Sequence, residues 1–246
     1  VGSFVAIYGI GEWLLGGGRI GSLLGNAAFF AGYLDLAFFA TLLTATEARQ
    51  SWRRLAYTGA ALQLIAIVLT ATRGTILALL VAGGLSLLYL AFKGEETQRH
   101  RSVGILIACA VLGGLFFSVR SSLVQIPFEP IARIASISTS DSNISSRLFI
   151  WKNMLTEVRK SPVFGVGAEH VDVLFNRFYD PTKLYEQWFD RSHNAFLDYI
   201  AQYGVGGLLL YLALIASFFT AARRFMQNGN TRVAEILILL AVTYAV

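Results

Sequence analysis

Apolar runs about as long as a bilayer is thick follow one another through most of this chain. A helix needs ~20 apolar residues to cross the hydrocarbon core, and residues 27–46 (AAFFAGYLDLAFFATLLTAT) meet that need. Residues 55–72, 75–92, 103–119, 194–222 and 233–246 roughly do so too, and 1–16 read as part of a further span. The predicted fold is an all-α polytopic membrane protein. Composition agrees, because 14% of the residues are charged where a soluble domain carries about 25%. The net charge of +5 is spread over short loops, with no basic stripe and interleaved aromatics, which argues against nucleic-acid binding. Cys109 is alone inside an apolar run, and His100, His170 and His193 are widely spaced. Neither a disulfide framework nor a metal site is expected from them.

The chain starts and stops inside apolar sequence (VGSFVAIYGI, ILILLAVTYAV) with no basic n-region or cleavage site. This reads as a piece of a larger polytopic protein. The stretch from Leu55 to Phe92 is about twice one crossing, and Arg73-Gly74 breaks it near the middle, so two helices joined by a tight turn are expected. Lys and Arg in short loops favour the cytoplasm. Arg49, Arg53 and Arg54 mark one inside loop, Lys93, Arg99 and Arg101 a second, and Arg223, Arg224 and Arg232 a third. Arg19, the Arg73 turn and the polar stretch 120–192 then fall together on the outer face. Three regions follow: membrane helices over 1–119, a long outer loop over 120–192, and membrane helices over 193–246.

Within the loop, SSRLFIWKNMLTEVRKSP predicts a helix capped by Ser145 or Ser146 and stopped by Pro162. Leu148, Trp151, Met154, Leu155 and Val158 recur at helical spacing and predict its apolar stripe. VFGVG predicts a bend at Gly165 and Gly167, and the aromatic segment KLYEQWFDRSH suits a membrane interface.

The candidate chemistry lies at the edges of these runs. His193 stands where polar sequence turns apolar, at the start of an expected helix. The macrodipole there disfavours an imidazolium, and a neutral histidine is a competent general base. The competing reading is a histidine that only caps the helix or bonds a loop carbonyl. Arg73 lies between two spans among Thr70, Thr72 and Thr75, where a guanidinium calls for a partner or a substrate, and its planar fork suits phosphate oxygens. Its alternative is snorkelling to headgroups. Arg147 sits in the first turn of the loop helix, where a cation opposes the dipole; its alternative is an ion pair with Asp141 or Glu129. Arg19, in GGGRIGSLLGN, is a third basic candidate on the same face. Asp35 and Asp198 lie within apolar runs; Asp198 is not quite on the helical face of His193, and either aspartate can simply bond a neighbouring helix.

Four segments in this order give the chain a resemblance: RIGSLLGNAAFFAGYL, TATRGTILALL, SSRLFIWKNMLTEVRKSPVFGVG and SHNAFLDYIAQYGVGGLLLYL. The chain resembles the O-antigen ligase superfamily of bacterial envelope proteins, which includes O-antigen polymerases and protein O-oligosaccharyltransferases. The family's asparagine-rich form of the first segment is reduced here to Asn26. The resemblance implies a GT-C-type helix bundle in the bacterial inner membrane, with a large, partly helical periplasmic loop. It implies a metal-independent, inverting glycosyltransferase that takes a glycan from undecaprenyl diphosphate, with no cofactor. Arg73 and Arg147 would hold the diphosphate with Arg19 beside them, and His193 would activate the acceptor hydroxyl. O-antigen ligation to lipid A–core is the first reading. A polymerase adding to a growing glycan, or transfer to a protein serine or threonine, are alternatives within the superfamily. From another class, a membrane transporter would show paired halves with broken helices at the midplane. No internal repeat is visible, and the suspect residues gather at one surface.

Overall fold

A computed structural model describes residues 1–16, 18–136, 142–180 and 191–245. Every regular element among them is helical. The order is α1 (Gly2–Gly16), a short 3-10 turn (Ser22–Leu24), α2 (Ala27–Glu47), α3 (Gln50–Leu69), α4 (Arg73–Lys93), α5 (Glu96–Leu123), α6 (Glu129–Ala135), α7 (Ser142–Val158), α8 (Val171–Arg177), α9 (Ala195–Gln227) and α10 (Thr231–Ala245). The chain divides into two compact units: 1–136 with 222–246, and 137–221. Asp141 and most of KLYEQWFDRSH lie outside the described residues.

In the first unit α1, α2 and α3 pack together, and α10 lies against α2 and α4. Their core joins Val5, Ala6, Ile20, Phe30, Leu34, Ala66, Ile67 and Leu69. Close approach of α1 and α3 needs Gly59, where a Cβ would come within 2.4 Å of Ser3 Oγ. Beside it the buried Gln63 amide donates to Ser3 Oγ at 3.3 Å and Thr41 Oγ1 at 3.1 Å, a polar clip across three helices. Four described helices are long and apolar enough to cross a membrane: α2, α4, α5 and α9. Large apolar side chains such as Leu112, Leu115 and Phe117 on α5 face outward, as lipid-facing side chains do. The chain is an all-α, multi-pass membrane protein.

The break between α3 and α4 falls at Thr70–Thr72, where Ala71 takes φ 51°, rather than at Arg73-Gly74. Arg73 and Gly74 already belong to α4, and Gly74 has open space around it. The run expected over 55–72 is the helix Gln50–Leu69, which is not among the four described helices long and apolar enough to cross a membrane. Its Ala60, Gln63, Ala66 and Ile67 are buried within the protein.

The second unit is built on α7, α8 and the first part of α9, around Ile150, Met154, Val158, Val171, Leu174, Phe175 and Ala201. The buried stripe of α7 is thus Ile150–Met154–Val158, while Leu148 and Leu155 are exposed. Spacing of four, rather than the mixed three and four of the expected stripe, puts these three on one side of the helix. The helix also begins at Ser142, so Ser145 and Ser146 lie inside it and Arg147 is beyond its first turn. At that position Arg147 does not oppose the dipole of the first turn.

The run expected as one span over 194–222 is two helical arms that meet at Gly204 (φ 66°, ψ −164°). An unbroken helix would separate residues 199 and 211 by ~18 Å, yet the rings of Tyr199 and Tyr211 stack at 4.2 Å. Phe196 also meets Tyr211, at 5.7 Å. The arm 195–203 is therefore folded against the arm that follows. The longer arm, 205–227, is by itself ~34 Å long, enough to cross the hydrocarbon.

Candidate functional site

At one end of the first unit, the linker before α2, the α3–α4 turn and α6 come together. Glycines at 21 and 25 bracket the 3-10 turn, and the Asn26 side chain caps α2 by accepting from the Ala28 and Phe29 amides. This linker carries Arg19, whose Nε donates to the Thr70 carbonyl at 3.0 Å. The Thr70–Thr72 turn is fixed in several ways. Thr70 is fully buried, its hydroxyl donates to the Ile67 carbonyl and accepts from the Thr72 amide, and the Thr72 hydroxyl donates to the Ala27 carbonyl. Arg73 opens α4, and its guanidinium donates to Ser136 Oγ at 2.9 Å, just past α6. Trp13 meets Phe128 edge-to-face at 6.0 Å, which anchors the start of α6 to α1.

The sequence reading missed a third arginine at this end. Arg133, on α6, pairs with Glu129 at 3.5 Å, and Ser136 Oγ donates to its carbonyl at 3.0 Å. The only sequence signal was the i, i+4 spacing in EPIAR. The same pair shows that Glu129, one alternative partner for Arg147, is engaged with Arg133. Partial burial lowers the pKa of Arg19 from the ordinary arginine value, and the like charges of Arg133 and Arg73 lower it further while Glu129 opposes them. Three guanidiniums placed this way can offset the charge of a polyanion. At the opposite end of the same unit a polar cavity of about 640 Å³ is lined by Glu47, Lys93, Glu95, Arg232 and Glu235. Its carboxylates and cations interleave, so it offers no comparable field.

Arg147 and His193 lie in the second unit. Arg147 is exposed on α7, one turn before Trp151 and on the same face. The Trp151 indole N–H donates to the Ser192 carbonyl at 2.8 Å. Asp198 Oδ1 accepts from the Ser192 amide at 2.8 Å, and Ser192 Oγ donates to the Asn194 carbonyl at 2.9 Å. Ser192 is thus fully buried and held on three sides. Arg191 adds an ion pair to Glu169 at 2.6 Å, and the Glu169 amide donates to Gln202 Oε1 at 2.7 Å.

His193 follows in the left-handed region, φ 57°, and is an exposed residue. Such a conformation costs about 1–3 kcal/mol for a residue other than glycine, and persists only where its surroundings over-determine it. Here the surroundings are Trp151, Asp198 and Asn194. Asp198 bonds not a neighbouring helix, the bland expectation for it, but an amide just ahead of its own helix. Trp151 had been read only as part of an apolar stripe. Its indole N–H partner is set by the tertiary fold, so no pattern in the sequence could reveal it.

A second clamp fixes the Gly204 break. The Val205 amide donates to the Pro162 carbonyl at 2.8 Å, Val166 to Ala201 at 2.9 Å and Gly167 to Gln202 at 2.9 Å. Carbonyls at the end of a helix lack intrahelical partners, and the strap 162–167 supplies those partners. Gly165 and Gly167 both take positive φ, as the predicted bend requires. Among the described residues no three His, Cys, Asp or Glu side chains gather as a metal-ligand set.

Residues 58–212 match the family described as O-antigen ligase. That interval contains Arg73, Arg147 and His193; Arg19 precedes it. The chain is also 26% identical over 140 residues to the exopolysaccharide production protein ExoQ of Rhizobium meliloti (strain 1021). That alignment takes in 54% of this chain and 31% of ExoQ. The chain therefore spans well under half the length of the curated relative it matches.

Proposed function

Since this chain belongs to the O-antigen ligase family, we propose that it transfers a glycan from undecaprenyl diphosphate to an acceptor hydroxyl on the periplasmic face of the bacterial inner membrane. The fold is of the GT-C type in this reading. The short-loop arginines and lysines favour an orientation with Arg19, Arg73 and the long loop outside, which supports this reading. The observation that carries the proposal is the Trp151–Ser192 bond, which ties the helix bearing Arg147 to the residue before His193.

In the reaction, a ring nitrogen of His193 takes the proton of the acceptor hydroxyl. The acceptor oxygen forms its bond to the anomeric carbon as the bond from that carbon to the diphosphate oxygen breaks. Displacement from the opposite face inverts the configuration. The departing undecaprenyl diphosphate gains negative charge, which Arg73, Arg147 and Arg19 offset without a metal ion. The lipid and glycan supply binding energy for positioning, so few reactive groups are needed.

Lipid A–core is the first acceptor considered, as in O-antigen ligation. The likeness to a protein named for exopolysaccharide production favours a second reading, in which the acceptor is a growing glycan and the product a polymer. The chain is incubated with undecaprenyl-diphosphate-linked glycan and EDTA, with and without lipid A–core, beside His193→Ala. A gel shift only with lipid A–core gives the ligase, and a ladder from donor alone gives the polymerase. Undiminished product from His193→Ala removes the histidine from the mechanism.

A further inference from the structure

We infer that Arg133 is a further anion-binding residue of the Arg19–Arg73 end, and that Glu129 is its resident counter-ion, displaced when a lipid-linked diphosphate enters. This rests on the reading of Arg19 and Arg73 as donor-binding residues and extends it by one site and one exchange.

The Arg133 guanidinium is held loosely. Its NH1 is 3.5 Å from Glu129 Oε1, beyond the ~2.7–2.9 Å of a strong charge-assisted bond. Its Nε is inaccessible to solvent and has no hydrogen-bond partner among the described residues. The buried Nε is out of an incoming ligand's reach, so the weakly held, part-exposed NH1 is the donor open to a better acceptor. The backbone beneath it, in contrast, is fixed. Pro130 and Ala135 of α6 are buried, and the chain Arg73 guanidinium to Ser136 Oγ to Arg133 carbonyl couples the end of α6 to the start of α4. A site so built moves side chains rather than helices when an anion arrives.

Charge points the same way. The charges of Arg133 and Arg73 act on Arg19 with the same sign, and Glu129 is the carboxylate that opposes them. Glu129 reaches toward the Arg19 linker as well, since a Cβ on Gly18 would lie 3.8 Å from Glu129 Oε2. One carboxylate thus stands between Arg133 and the segment bearing Arg19. A diphosphate brings more charge and more acceptor oxygens than this carboxylate, and can engage the whole group. The plainer alternative is an ordinary i, i+4 pair that only stabilises a short helix. The two differ in sign: a displaced counter-ion opposes binding, whereas a helix-stabilising partner supports it.

The test uses the full chain in phosphatidylcholine nanodiscs, titrated with undecaprenyl diphosphate and separately with inorganic pyrophosphate. Glu129→Gln is expected to tighten binding about threefold, the size of a partly exposed ion pair. Arg133→Gln is expected to weaken it about tenfold, as loss of a charged hydrogen bond does, with partial return in Arg133→Lys. Glu129→Gln should give no tightening once Arg133 is already replaced. The same ordering with undecaprenyl diphosphate, at lower Kd than with pyrophosphate, supports a lipid-linked ligand; an ordering confined to pyrophosphate overturns that part. Weaker or unchanged binding in Glu129→Gln overturns the inference. If Arg73→Gln still weakens binding in that case, the donor reading of this end stands alone. If Arg73→Gln is also without effect, that reading falls too.

Discussion

The Trp151 indole N–H donates to the Ser192 carbonyl, across forty-one positions of sequence and 2.8 Å of space. The residue that follows Ser192 is His193, in a left-handed conformation. The bond therefore joins α7 to the backbone that aims the histidine, and its removal separates aiming from packing. In Trp151→Phe most of the ring contact stays while a buried carbonyl loses its donor. The expected stability cost is about 1–3 kcal/mol, visible in thermal unfolding. Turnover should fall about tenfold or more, as misplacing a reacting group does, with KM for the donor little changed. Equal loss in stability alone, with wild-type turnover, would contradict an aiming role.

Asp198 is the second support for the same turn. Its carboxylate oxygen only accepts from the Ser192 amide, a task an amide oxygen performs equally well. Asp198→Asn should therefore keep most activity, and Asp198→Ala should lose it together with about 1–2 kcal/mol of stability. If Asn fails as badly as Ala, the negative charge rather than the hydrogen bond is what matters.

Gly204 is where the two arms of α9 fold back. A Cβ there would sit 2.0 Å from the Val163 carbonyl oxygen, in addition to the positive φ. Gly204→Ala should cost roughly 3 kcal/mol or more and release the strap 162–167 to hydrogen exchange. Gly206→Ala, in open space two residues on, is the matched control and should unfold like the wild type. Comparable exchange in both variants would show that the strap is not held by the break.

His193→Ala should leave the unfolding curve near that of the wild type, because His193 is an exposed residue. Turnover should fall by about 10²–10⁴, the range of general-base catalysis. Any smaller loss would assign the proton transfer elsewhere.

Several of these relationships were legible in the sequence, and others were not. Runs such as 27–46 and 75–92 became α2 and α4 almost as read, because a bilayer imposes a length and an apolarity that any sequence must show. Arg73 stands out in the sequence as a cation beside hydrocarbon and Arg19 as a basic candidate on the same face, and the fold brings both to one end of the first unit. Arg133 was passed over because a lone i, i+4 pair looks the same on any exposed helix. Its position beside Arg73 depends on how α6 docks.

The family membership, the helical class and the membrane habit were thus fixed locally, by run length and by short motifs around residues 73, 147 and 193. The fold-back at Gly204 was not, because the run 194–222 is apolar enough to read as one span despite Asp198, Gln202 and the glycines at 204, 206 and 207. What selects the break is the hydrogen bonding of Pro162, Val166 and Gly167 to residues far along the chain. The same holds for Asp198 and Trp151, whose partner is an ordinary serine backbone. Backbone groups carry no side-chain signature, so contacts made to them are decided only when tertiary packing brings the chain together.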